Sequence, residues 1–322
     1  MSAAGIAVIA VSVRGLTRRF GAITAVDALT FDVPAGTLFG LVGPDGAGKT
    51  TTLRMLAGVL RPTSGDAAVL GVSVVSDPEA VKHHSAYMSQ RFGLYPDLTV
   101  RENIDFYADL YQVPLAERPA RLDRLYRFSS LGPFEDRRAG QLSGGMKQKL
   151  SLCCALIHHP DVLLLDEPTF GVDPISRRDL WLILHEMVAT GVTVVVSTAY
   201  MDEAERCDNV ALLDKGRVVA LDTPEALQAS LPVKIVALRT SDPRRAAAVL
   251  TAAPCVARAA LFGDVVHTSL SEPERDCPEA EAALAAAGIS VLDRHEIVPG
   301  LEDVFIHRVG GTGARAHGGT ER

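Results

Sequence analysis

The chain lacks any apolar run long enough to cross a bilayer. Its longest stretches, Val192–Val196 and Leu150–Ile157, fall well short of the roughly 18 residues that a spanning helix needs. It also lacks a basic excess: 32 Lys and Arg stand against 39 Asp and Glu, a formal charge of −7 that is mixed rather than blocked. A duplex-DNA binder carries a basic footprint, so nucleic acid is not expected as a partner. Cysteine is sparse and irregular. The five residues at 153, 154, 207, 255 and 277 give an odd count and no CxxC, which argues against a disulfide framework and a zinc site. They read as small buried hydrophobes in a reducing compartment. Met1–Val13 is apolar but has no basic segment ahead of it and runs directly into Arg14-Gly15. It reads as a first strand, not a secretion signal, and the expectation is a soluble, cytoplasmic chain.

What is present is core material. A length of 322 residues, 48% of them hydrophobic, suits about two domains. Residues 1–75 read as short strands, and Thr37–Val42 is a continuous apolar run ending in glycine. Apolar residues at 53, 55, 56, 59 and 60 predict a helix over Thr50–Leu60. Residues 93–160 are mostly helical in pattern. Val162–Leu165 and Thr193–Val196 are further unbroken apolar runs, which suit parallel strands covered on both faces. Beyond about 230 the order becomes strand Val233–Leu238, helix from Asp242-Pro243 to about 252, hairpin Val256–Leu261 and Val265–Leu270, helix Pro278–Ala287, and strand Ile289–Val298. That βαββαβ order is the ferredoxin-like pattern, with a short helix following from Leu301. Gly310–Arg322 is Gly-rich and polar and reads as a disordered tail.

Gly43-Pro44-Asp45-Gly46-Ala47-Gly48-Lys49-Thr50, followed by Thr51, fits GxxxxGK[ST] between an apolar strand and a helix. Glycines let backbone N–H groups turn inward as an anion nest, and the helix start adds the positive end of its dipole. Lys49 can reach β- and γ-phosphates, and the Thr50 hydroxyl can ligate Mg²⁺. Asp166-Glu167 follows the strand Val162–Leu165, and an acid at a strand end sits at the mouth of the sheet. Asp166 would hold Mg²⁺, and Glu167 would polarise a water for in-line attack. Leu142-Ser143-Gly144-Gly145-Met146 opens another helix, expected over Lys149–His158. Ser143 suits an N-cap and the glycines bare the backbone, so a second helix start is built for an anion.

Two phosphate-cradling helix starts suggest two copies sharing each nucleotide. With these motifs in order over about residues 12–225, the chain resembles the ATP-binding cassette (ABC) ATPases, whose signature is LSGGQ or LSGGM. The resemblance implies an α/β P-loop NTPase, a RecA-like core with an antiparallel β subdomain and a helical subdomain at about 93–160. This nucleotide-binding domain is expected over 1–230, and the small ferredoxin-like α+β domain at 231–309 would be regulatory or dimerising. Residue by residue, Phe20, 29 positions before Lys49, is similar to the aromatic that stacks on adenine. Gln90 resembles the glutamine that senses Mg²⁺ and attacking water, and Arg91–Asn103 the surface that docks a membrane partner. Asp173 in Gly171-Val172-Asp173-Pro174 resembles the residue that contacts the opposite subunit. Val298-Pro299-Gly300-Leu301-Glu302-Asp303-Val304-Phe305 is similar to the segment closing ATPase subunits of ABC-2 type, drug-resistance-like exporters.

One position departs from the family. Thr198-Ala199-Tyr200-Met201-Asp202-Glu203 carries alanine where the family has a histidine that contacts the γ-phosphate and the attacking water. Three readings stay open: hydrolysis through Glu167 at a reduced rate, replacement of the contact by Tyr200 or Ser197 through water, or a chain that binds ATP with little turnover. The resemblance thus implies the Mg·ATP-dependent subunit of an exporter at the cytoplasmic face of the membrane, a homodimer working with separate permease chains. The alternatives are a non-transport ABC ATPase and an ATP-sensing switch.

Overall fold

The computed structural model describes residues 8–90 and 93–313, so the expected tail beyond 313 and the start of the first strand lie outside them. The chain divides into two compact units at Leu221/Asp222.

The first unit holds two sheets. Strands Ile23–Pro34, Ile9–Phe20, Ser64–Val69 and Val72–Ser73 form one, in that order, antiparallel throughout. The other runs Arg217–Asp222, Asn209–Asp214, Leu38–Val42, Thr193–Thr198, Val162–Asp166, Ser85–Met88. From Asn209–Asp214 to Ser85–Met88 every pairing is parallel. Leu38–Val42, Val162–Asp166 and Thr193–Thr198 are buried at every position, as strands packed on both faces must be. The helix Lys49–Leu56 lays Leu53, Met55 and Leu56 into this core, where Phe31 stacks on Phe39 with centroids 5.4 Å apart. It ends before the expected Leu60, because the chain turns at Gly58 and leaves Val59 exposed.

Three helices, Val100–Leu110, Arg118–Ser129 and Gly144–Leu156, fill the helical region. Thr99 and Glu102 close a reciprocal capping box on the first. The last starts at Gly144, five residues before the expected Lys149, because Ser143 accepts from the Met146 N–H and caps it there.

The second unit is a four-stranded antiparallel sheet ordered Arg258–Phe262, Val265–Leu270, Lys234–Thr240, Val291–Ile297. In chain order that is 2-3-1-4, the ferredoxin-like arrangement, with helices Pro243–Ala252 and Pro273–Ala286. The second helix begins earlier than the expected Pro278 and carries that proline inside. Pro273 occupies its first turn, and Asp276, Cys277, Ala280 and Leu284 bury its core face. The unit starts before the expected 231 because the helix Pro224–Ala229 belongs to it: Arg308 of the closing helix Leu301–Gly313 donates to the Ser230 hydroxyl. That closing helix continues through positions 310–313, where a tail was expected.

Candidate active site

The loop Gly43–Gly48 joins the buried strand Leu38–Val42 to the helix Lys49–Leu56. Gly48 sits at φ 102° as the residue before the helix, and a Cβ there would lie 2.6 Å from the Ala25 carbonyl oxygen. Only glycine meets both conditions. Gly46 is also left-handed, and the Gly43 N–H donates to the Thr198 carbonyl at 3.3 Å. The loop lines a cleft of about 700 Å³ with Ile23, Thr24, Ala25, Gln90, Glu167, Phe170 and Lys215.

Lys49 is 4% exposed. Its ammonium donates to the Gly43 and Pro44 carbonyls at 2.7 and 3.1 Å and pairs with Glu167 Oε1 at 3.3 Å. Gln90 Nε2 donates to Glu167 Oε2 at 3.0 Å. Glu167 itself is left-handed, φ 49°. Asp166 is buried and ringed by hydroxyl donors: Thr50 at 2.9 Å and Ser197 at 2.8 Å on Oδ1, Tyr87 at 3.3 Å on Oδ2. Burial first, then the Asp166 carboxylate, push the Tyr87 phenol up to about 12, so it remains a donor at neutral pH. Thr50 and Asp166 present hard oxygens at the loop, a donor set that fits Mg²⁺ sharing phosphate oxygens.

Direct contacts thus join Lys49 and Gln90 to Glu167, and Thr50 to Asp166. Phe20 and Asp166 are not in the lining of the cleft, nor are Ser143, Gly144, Gly145 and Asp173. The latter gather elsewhere: Asp173 caps the helix Pro174–Ala189 by accepting from the Ile175 and Ser176 N–H groups, and a Cβ on Gly145 would lie 3.5 Å from its Oδ2. Those donors, Ser176 foremost, hold the Asp173 carboxyl below its usual range. Phe20 ends a strand, 45% exposed, with the Arg18 guanidinium 4.6 Å over one face of its ring.

Reading by motif missed a second buried acid. Glu203 is 1% exposed; its Oε2 accepts from Thr169 and Thr198 hydroxyls at 2.9 and 2.6 Å, and Arg177 lies 3.5 Å from Oε1. Arg177 also stacks 4.8 Å over the Tyr200 ring. Glu203 therefore ties the loop after Asp166 to the loop carrying Ala199. Only its place at the end of Tyr200-Met201-Asp202-Glu203 could have drawn attention to it. Beside that loop lies a cavity of about 110 Å³ lined by Asp45, Glu167, Thr169, Phe170, Thr198, Ala199 and Tyr200. The Ser197 hydroxyl donates to Asp166 and accepts from the Glu167 N–H, so it is committed away from the place of the missing histidine.

Residues 26–170 match the ABC transporter family. YbhF of Escherichia coli strain K12, a probable multidrug ABC transporter ATP-binding protein, is 43% identical over 308 residues, 94% of this chain and 52% of that protein. The chain thus spans about half the length of that relative. The daunorubicin/doxorubicin resistance ATP-binding protein DrrA of Streptomyces peucetius is 35% identical over 305 residues, 94% of this chain and 92% of that one. A solved ATP-binding subunit of an ABC transporter superposes with a TM-score of 0.63 at 31% identity, covering 69% of this chain and 92% of the other. With a phosphate loop, two acids at the strand end and a relative alike along nearly its whole length, the chain belongs to the ABC transporter family of ATP-binding proteins.

Proposed function

We propose that the chain is the ATP-hydrolysing subunit of an ABC-2 type exporter, working as a head-to-tail pair that drives separate permease chains from the cytoplasmic face of the membrane. The observation that carries this reading is the joining of Lys49, Glu167 and Gln90 by direct contacts beside the Thr50–Asp166 pair. A phosphate loop alone binds anions. A carboxylate held between an ammonium and a carboxamide adds a base for water. The names of the relatives, multidrug and daunorubicin/doxorubicin resistance, favour export.

The phosphates would lie along the loop N–H groups, with Lys49 turned to the β- and γ-oxygens. They compete with Glu167 for that ammonium, so nucleotide entry releases the Glu167 carboxylate to accept a proton from water that Gln90 orients. Thr50 and Asp166 would hold Mg²⁺, which neutralises charge on the β- and γ-phosphates when bound. Phe20 offers the ring face not covered by Arg18 to the adenine. Ser143–Gly145 and Asp173, outside the cleft, suit the opposite face of a nucleotide held by a second cassette. A groove of about 300 Å³ lined by Gln90, Leu94, Pro96, Lys147 and Gln148 would suit a permease segment, which would then sit against Gln90, the residue that touches Glu167.

Sedimentation of Glu167→Gln at saturating Mg·ATP tests the reading. A dimer that reverts on nucleotide removal is expected, with hydrolysis down at least about 10²-fold. A chain that stays monomeric with and without its membrane partners refutes it. A slow ATP-operated switch is the second reading, favoured by Ala199 and the cavity beside it.

A further inference from the structure

Successive side chains along a strand point to opposite faces, so two adjacent carboxylates do not ordinarily enter one cleft. Here they do: Asp166 meets Thr50, and Glu167 meets Lys49 and Gln90. The left-handed turn at Glu167, φ 49°, redirects the second side chain. A glutamate holds that conformation only where its surroundings over-determine it.

Lys49 and Gln90 hold the side chain of Glu167, and one side chain on the neighbouring strand holds its backbone. Ser197 pairs with Asp166 in the parallel ladder and is 0% exposed. Its hydroxyl donates to Asp166 Oδ1 at 2.8 Å and accepts from the Glu167 N–H at 3.0 Å. Its carbonyl shares that same N–H at 3.2 Å. A serine hydroxyl has one proton to give and lone pairs to receive, and both capacities are used. We infer that Ser197 is a positioning residue that aims both acids, fixing the Asp166 carboxylate for the metal and the Glu167 backbone for the base. The inference rests on the ATPase reading above. Thr50, the other donor on Oδ1, would turn to the metal, which would leave Ser197 as the donor on Oδ1, beside Tyr87 on Oδ2.

The test compares Ser197→Thr with Ser197→Val, two residues of one shape that differ by the hydroxyl. Four quantities are read: Mn²⁺ affinity of the ATP-bound chain by electron paramagnetic resonance, single-turnover hydrolysis, ATP affinity in EDTA, and melting temperature. Ser197→Val is expected to lose about tenfold in Mn²⁺ affinity, as removal of an outer hydrogen-bond partner does. It should hydrolyse ATP at least tenfold more slowly, with metal-free ATP affinity unchanged, while Ser197→Thr stays close to wild type. Equal metal affinity and turnover in the two variants overturns the role, as does a Val variant that merely melts earlier. If the added methyl unfolds both, Ser197→Ala is compared with wild type in the same four quantities. A wild-type chain that takes up no Mn·ATP refutes the ATPase reading, and the role of Ser197 with it.

Discussion

Restoring a histidine at position 199 separates an impaired hydrolase from one that has no need of the side chain. Ala199 is exposed at the end of the strand Thr193–Thr198, and the adjoining cavity of about 110 Å³ has Glu167 and Asp45 in its wall. An imidazole on that Cβ has room without displacing the core, so the melting temperature of Ala199→His should match wild type. A positioned donor to transition-state charge is worth about 10²–10³ in rate, roughly 2.7–4 kcal/mol. Single-turnover hydrolysis with enzyme in excess reads the chemical step apart from product release. A rise within that range is expected in the variant. If the rate stays unchanged while stability and ATP affinity match wild type, the reasoning fails, and Glu167, Gln90 and Lys49 carry the chemistry unaided.

Two further outcomes follow from local geometry. A Cβ at Gly145 would fall 2.2 Å from Ser176 Oγ and 2.3 Å from its Cβ, so Gly145→Ala must push two helix starts apart. Equilibrium unfolding should show a loss of about 1–3 kcal/mol. ATP affinity at the separate Lys49 loop should hold, and nucleotide-dependent dimerisation should fail; a variant that dimerises normally would refute this. His158, half-buried and stacked on Tyr111 with centroids 3.8 Å apart, is lowered from 6.5 to about 4, chiefly by burial. The native state favours the neutral ring, so the unfolded chain takes up the proton first. Stability is therefore fully present above about pH 6.5 and declines toward pH 4, by up to about 3 kcal/mol. Urea midpoints across that window should fall less steeply in His158→Phe, and equal slopes would exclude His158 as the source.

The parts of the fold that were legible depend on a few neighbouring residues. Unbroken apolar runs at Leu38–Val42, Val162–Leu165 and Thr193–Val196 suit strands covered on both faces, and the phosphate loop needs its glycines within one turn. Helix ends were less legible, because caps and tertiary partners set them. Ser143, already legible as an N-cap, starts its helix at once, whereas the helix itself was expected only over Lys149–His158. The helix Pro224–Ala229 is assigned by a hydrogen bond from Arg308, far along the chain, and no local pattern contains that contact. The same holds at the site. Residue types suggested Lys49, Asp166 and Glu167, but the ties of Glu203 to Thr169, Thr198 and Arg177 cross from loop to loop. Such buried polar contacts have no spacing rule, since any hydroxyl that the fold brings near can serve.

The acidic composition that argues against a duplex nucleic acid does not argue against a polyphosphate, and the difference lies in how each anion is held. A duplex is bound by many exposed cations through an added field that salt screens, and net charge reports that field well. The cleft here offers Lys49 and Lys215 against Asp45 and Glu167, two charges of each sign. In the proposed function its anion affinity would come from elsewhere: the glycine-rich loop backbone, the start of the helix Lys49–Leu56, and one ammonium almost wholly removed from water. A charge so buried interacts more strongly than one at the surface, because less solvent intervenes. Glu167 balances that ammonium at 3.3 Å, which keeps an otherwise costly buried cation paired. In the proposed function phosphate would take that place and release the same carboxylate, so the group that stabilises the cleft would become available as the base only once the nucleotide has entered.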